Sequence, residues 1–158
     1  MVSIRLAEPG KYTKAGKFAE TAMATDFTLD PRLADSTVEV DRLALCRVLL
    51  SRDANYPWLI LVPQIEGLVE MTALLPDRQL RLTTEVNRAA LALKSVFKPD
   101  KLNIAALGNQ VAQFHVHVIA RFTDDPAWPN PVWGAVPPRQ YSDDELAERV
   151  EIIKQSFA

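Results

Sequence analysis

His115 and His117 are the only histidines among 158 residues, and a single valine separates them in the run NQVAQFHVHVIARF at 109–122. Neutral imidazole is both a nucleophile and a proton carrier near neutral pH, so two rings on one surface could attack a phosphorus centre and manage its leaving group. Cooperation requires a strand. Over 111–122, alternation places Gln113, His115 and His117 on one face and Phe114, Val116 and Val118 on the other, with the histidine Cα atoms roughly 6.5 to 7 Å apart. On a helix the two rings would diverge by about 200°. Two other readings stay open. The pair could be half-exposed surface histidines, or two ligands of a zinc site, which would need a carboxylate such as Asp124 or Asp125 because there is no third histidine. The preceding LGNQV supplies a glycine and two amides where the oxygens of an anion could be held.

The elements that must present this pair can be read from the flanking pattern. TVEVDRLALCRVLL at 37–50 and WLILVP at 58–63, separated by SRDANYP, predict strand, turn, strand. In LPDRQLRLTTEVNRAALALKSVF, Leu82, Val86, Ala89, Leu93 and Val96 recur at steps of four and three, which predicts one long helix opened by Pro76 and Asp77 and closed by KPD at 98–100. Strands are expected at 101–107 and 111–122 around the short GNQ connection, completing an antiparallel meander. DDPAWPNPVWGAVPPRQ is too rich in proline for a helix or a central strand and reads as an extended, packed tail. Ser142 with Glu145 three residues on makes a capping box for a short C-terminal helix carrying Leu146, Val150 and Ile153 on one stripe.

Composition narrows the function classes. With 48% hydrophobic and 24% charged residues the chain has globular proportions and a length suited to one domain. A net charge of −2 argues against long nucleic acid as a partner. Cys46 is the lone cysteine, which excludes an internal disulfide framework and suits a reducing cytoplasm. No apolar run approaches the roughly 18 residues of a membrane span. Residues 1–22 lack the apolar core of a secretory signal and read as a poorly ordered leader, with Met23 opening what resembles a natural start of a single domain over 23–158.

QFHVHVI resembles the signature His-φ-His-φ-His-φ-φ of the histidine triad (HIT) family, with φ an apolar residue, matching six of its seven positions. The likeness extends over about 25–135: an apolar strand ending in Val-Pro, a long helix, a strand containing Asn103, Gly-x-x-V before the triad, and a Trp-Pro-rich tail. It implies an α+β fold, a five-stranded antiparallel sheet with a long helix and a short C-terminal helix, and a homodimer formed through the long helix and an edge strand. It further implies a nucleotide hydrolase or nucleotidyl transferase acting on phosphoanhydride or phosphoramidate bonds of nucleotides or dinucleotides, with no metal or cofactor needed for the covalent step. His115 matches the nucleophile that forms a nucleotidyl-imidazole. His117 matches the position contacting phosphates and leaving group, and Asn103 and Gln110 match positions that lie near the phosphate or support the strand. This chain departs from the pattern at the first triad position, where Gln113 cannot titrate and is expected to orient its neighbours. Ala120 replaces the usual proline, and Gln64 and Glu66 stand where many members carry Lys and His. Loss of the first histidine also admits a non-catalytic nucleotide-binding or regulatory protein.

Four further side chains have two readings each. Asp53 and Asn55 could hold a ribose hydroxyl or simply form the turn they occupy. Arg121 could counter a phosphate or stand as a solvated edge charge. Trp58 could stack on a base or anchor the core.

Overall fold

The computed structural model describes residues 27–157, so the leader reading for residues 1–22 lies outside the described residues. The described chain is built around five antiparallel strands: β1 (Thr37–Arg42), β2 (Cys46–Ser51), β3 (Trp58–Pro63), β4 (Lys101–Ala105) and β5 (Val116–Arg121), in the order β1-β2-β3-β5-β4. Three α-helices accompany them: α1 (Pro31–Ser36), α2 (Pro76–Phe97) and α3 (Asp143–Gln155). This is the α+β architecture expected from the sequence.

The long helix begins at Pro76, as predicted, and ends at Lys98, whose left-handed conformation (φ 50°) directs its N–H back to the Lys94 carbonyl. Pro99 cannot continue the helix. Leu82, Val86, Ala89 and Leu93 face the sheet and pack with Val48, Leu50, Leu59, Leu61, Val116 and Val118. The predicted capping box of α3 is present in both directions, and α3 adds Ile153 to the same core.

Two strand assignments differ from the sequence reading. The run 37–50 is not one strand but β1 and β2 joined by a tight turn at 43–45, and Glu85 of α2 explains the break. Its buried carboxylate accepts the backbone N–H groups of Leu45 (2.9 Å) and Cys46 (2.8 Å), supplying the turn with acceptors that strand pairing would otherwise provide. β5 starts at Val116 rather than near 111, so Gln113 and His115 lie in the loop that feeds the strand. The Phe114 N–H pairs with the Leu68 carbonyl outside the sheet (2.8 Å), which ends the ladder early.

Alternation along β5 turns Val116, Val118 and Ala120 toward α2 and His117, Ile119 and Arg121 toward the opposite face. That face is covered by two smaller apolar clusters, one of Leu33, Leu49, Ile60 and Val62 and one of Tyr56, Ile119, Ala127 and Val132, with Trp58 packed against both. The Pro/Trp-rich tail winds through a series of turns, with a cis peptide at Trp128–Pro129, and covers the second cluster.

Candidate active site

A cleft of about 410 Å³ opens on the face of the sheet away from α2, lined by Leu33 and Ser36 of α1, Ser51 of β2, Trp58 and Ile60 of β3, the loop residues Leu107, Asn109, Gln110 and Val111, both histidines, and Trp133 of the tail. Each element has a local reason to be there. Asp30 caps α1 through the Arg32 N–H (2.9 Å) and Pro31 occupies its first turn. Arg32 grips both Asp30 oxygens and donates to the Gln110 carbonyl, fastening α1 to the loop that precedes the histidines.

The histidine rings stand edge to face with centroids 4.8 Å apart, both almost fully buried. Their hydrogen-bond partners assign different tautomers. His115 Nδ1 lies 2.7 Å from the Gln113 carbonyl, which can only accept, so Nδ1 carries the proton and Nε2 keeps its lone pair. His117 Nδ1 lies 3.0 Å from the Trp58 indole nitrogen, which can only donate, so the proton of the neutral ring sits on Nε2. Burial, reinforced by the neighbouring His115, pushes His117 down from 6.5 to about 4, leaving it neutral at physiological pH. This arrangement leaves the His115 ring an Nε2 lone pair that can act as a nucleophile and its neighbour an Nε2–H that can donate a hydrogen bond.

Of the residues singled out from the sequence, the cleft brings together His115, His117, Trp58, Gln110 and its neighbour Asn109. Gln113 does not join them through its side chain. Its amide donates to the Thr28 carbonyl (2.9 Å) and accepts the Asp30 N–H (2.9 Å), so it fastens residues 28–30, while its backbone carbonyl orients His115. The expectation that Gln113, His115 and His117 share a strand face fails because β5 begins after His115.

Arg121 is 1% exposed and belongs to an interior strand, which corrects the solvated-edge reading. Its guanidinium takes both carboxylate oxygens of Asp125 (2.6 and 3.0 Å), the Asn103 side-chain oxygen (2.7 Å) and the Asn130 carbonyl (3.0 Å), and it faces the Tyr56 and Trp128 rings. Asn103 and Arg121 thus tie the tail to the sheet and do not line the cleft. Asp125 is occupied by Arg121 and by the N–H groups of Phe122 and Ala127, so it is not poised to complete a zinc site with the histidines. Among the described residues, no group of three or more His, Cys, Asp or Glu could hold a metal ion.

Asp53 and Asn55 act as turn formers. Asp53 accepts the N–H groups of Asn55 (3.0 Å) and Arg139 (3.2 Å), and Asn55 donates to the Pro137 carbonyl (3.0 Å), clamping the β2–β3 turn to the tail. Among the described residues, the serines that line the cleft are Ser36 and Ser51.

The sequence reading missed Leu33, Ser36, Ser51 and Trp133, and it weighed Trp58 without its partner. An Asp-Pro pair at 30–31 did signal a helix start before β1. The contact of Trp58 with His117 follows only from register: Trp58 pairs with Ile119 and Ile60 with His117, which makes Trp58 the diagonal neighbour of the histidine.

Residues 35–124, more than half the chain, match the family model of the HIT domain. The protein belongs to the histidine triad family. Histidine triad proteins of Bradyrhizobium japonicum, Sinorhizobium meliloti 1021 and Marinobacter aquaeolei VT8 are similar to it at 45%, 43% and 40% identity, with TM-scores of 0.81, 0.81 and 0.80. The alignments cover 84%, 84% and 83% of this chain and 98%, 98% and 96% of those chains. No curated protein matches the sequence. The five-stranded antiparallel sheet is therefore that of a HIT protein, and family membership supports a nucleotide-binding protein. Among the described residues no helix is long and apolar enough to cross a membrane.

Proposed function

We propose that this HIT protein is a nucleotide hydrolase or nucleotidyl transferase in which His115 Nε2 attacks the α-phosphate. The observation that carries the reading is the contrast between the two Nδ1 partners, an accepting carbonyl at His115 and a donating indole at His117, which assigns the rings opposite tautomers. The Nε2 lone pair of His115 forms a bond to phosphorus while the bond to the leaving group breaks and its electron pair departs with that group. The attacking ring becomes a nucleotidyl-imidazolium, and the Gln113 carbonyl at Nδ1 stabilises its new charge. The His117 Nε2–H donates a hydrogen bond to the departing group. Water or another acceptor then adds to phosphorus, the P–Nε2 electron pair returns to His115, and the acceptor's proton passes to solvent.

The nucleoside lies against the apolar wall of Leu33, Ile60 and Val111, with the Ser36 and Ser51 hydroxyls as polar contacts. Asn109 and Gln110 border the phosphate position. The protein acts as a cytoplasmic homodimer, its β4 edge and α2 meeting a second copy. Half-exposed Ile104 on that edge and Met71 in the turn that precedes α2, beside a groove reaching Leu82 and Val86, support this assembly.

Intact-mass and peptide mass spectrometry of unmodified and His115→Ala protein, mixed with dinucleoside polyphosphates, nucleoside phosphoramidates and nucleotide sugars, tests the reading. The expected result is one nucleoside monophosphate on His115, absent from the variant, with product release in the same samples. Nucleotide binding with neither adduct nor turnover across the panel would identify a non-catalytic binding protein instead.

A further inference from the structure

Trp58 is wedged between the two apolar clusters on the cleft side of the sheet and stands edge to face with Trp133, at 5.6 Å and 88°. A second edge contact, at 5.4 Å and 65°, sets it against His117. Its indole nitrogen is thereby held 3.0 Å from His117 Nδ1. Hydroxyl, amide or imidazole partners could reverse their donor and acceptor roles, whereas an indole N–H can only donate.

We propose that Trp58 is a positioning residue for nucleotidyl transfer, its N–H fixing His117 as the Nε2–H tautomer that meets the leaving group. The inference rests on the catalytic reading above and adds a residue to it. Protonating His117 at Nδ1 would set two N–H groups against each other in a buried site. Among the described residues, α1, β2, β3, the 107–111 loop and the tail contribute no acidic or basic side chain to the cleft lining, and His115 is the only other titratable group there besides His117. The Asp30 carboxylate, which interacts electrostatically with His115, is engaged by Arg32. Burial and His115 both disfavour the charged form of His117, so geometry and electrostatics agree. The leaving group meets a hydrogen bond that does not titrate away near neutrality.

Two replacements remove the N–H: Trp58→Phe, and β-(3-benzothienyl)alanine at position 58, which retains the bicyclic shape with sulfur in place of the nitrogen. Long-range ¹H–¹⁵N correlation of the unliganded protein reads the His117 tautomer without any substrate. In the unmodified protein Nε2 is protonated and Nδ1 bare from pH 5.5 to 8. Both replacements are expected to give mixed tautomers, to raise the proton affinity of His117 about tenfold, and to slow adduct formation at pH 7 roughly tenfold or more. A new inflection in the pH–rate profile accompanies them. An unchanged tautomer and titration of His117 in both replacements would overturn the proposal whatever happens to activity. If the tautomer shifts as expected while the unmodified protein forms no adduct, the role of Trp58 in setting the tautomer stands and the nucleotidyl-transfer reading falls.

Discussion

His115 and His117 meet edge to face at 4.8 Å, with the proton of one on Nδ1 and that of the other on Nε2. Two rings of the same chemical type are distinguished by what each Nδ1 touches, a carbonyl in one case and an indole N–H in the other. Neither partner is a charged group. The asymmetry survives at any pH that leaves both rings neutral.

The buried state of His117 makes stability pH-dependent. Its native pKa of about 4 lies below the ordinary 6.5, so between these values the unfolded chain binds more protons than the folded one. Stability therefore falls as pH drops from 6.5 to 4, by an amount on the order of 3 kcal/mol from this residue. Urea titrations at pH 7 and pH 4.5 should show His117→Gln, which keeps an acceptor for Trp58, losing less stability on acidification than the unmodified protein. Parallel losses would assign the effect to other groups.

Glu85 holds the β1–β2 turn from the middle of α2. Glu85→Ala leaves the Leu45 and Cys46 N–H groups without acceptors and is expected to cost about 2 to 4 kcal/mol in chemical denaturation. Because the turn lies on the side of the sheet opposite the cleft, the variant that remains folded should still form the His115 adduct. A loss below 0.5 kcal/mol, on the order of a surface substitution, would show that the turn finds other acceptors.

Gln113 fastens residues 28–30 rather than touching either imidazole. Gln113→Ala should speed amide hydrogen exchange at Asp30 and destabilise the fold by about 1 kcal/mol, while adduct formation changes less than threefold, on the order of half a kcal/mol. Complete loss of the adduct with unchanged exchange would place the amide in the chemistry after all.

Arg121 and Asp125 form a buried pair, 2% and 4% exposed in their side chains. Removing one partner strands the other, so Arg121→Met and Asp125→Ala should each cost about 3 to 5 kcal/mol. The double variant should cost less than the sum, because no uncompensated charge remains. Additive losses would mean that each residue acts through separate contacts, Arg121 through Asn103 and Asn130 and Asp125 through the backbone.

Elements whose signals are local were legible from the chain of residues alone. The 3.6-residue repeat from Leu82 to Leu93 made α2 legible, Ser142 and Glu145 announced α3, and the spacing of His115 and His117 pointed to phosphate chemistry. The family was legible in the ordered set of motifs around them. Tertiary structure decided the rest, because the deciding contacts join residues far apart in the chain. Nothing within 37–50 reveals that Glu85, about 40 positions on, will accept two of its N–H groups and end a strand. A terminal arginine on a strand reads as a solvated charge until Asp125 and Asn103 enclose it. Gln113 in a strand register would face its neighbouring histidine, and it turns instead to Thr28 and Asp30, more than 80 residues earlier. A histidine's tautomer is a property of its hydrogen-bond partners, and for His117 that partner is Trp58, 59 residues away on the adjacent strand.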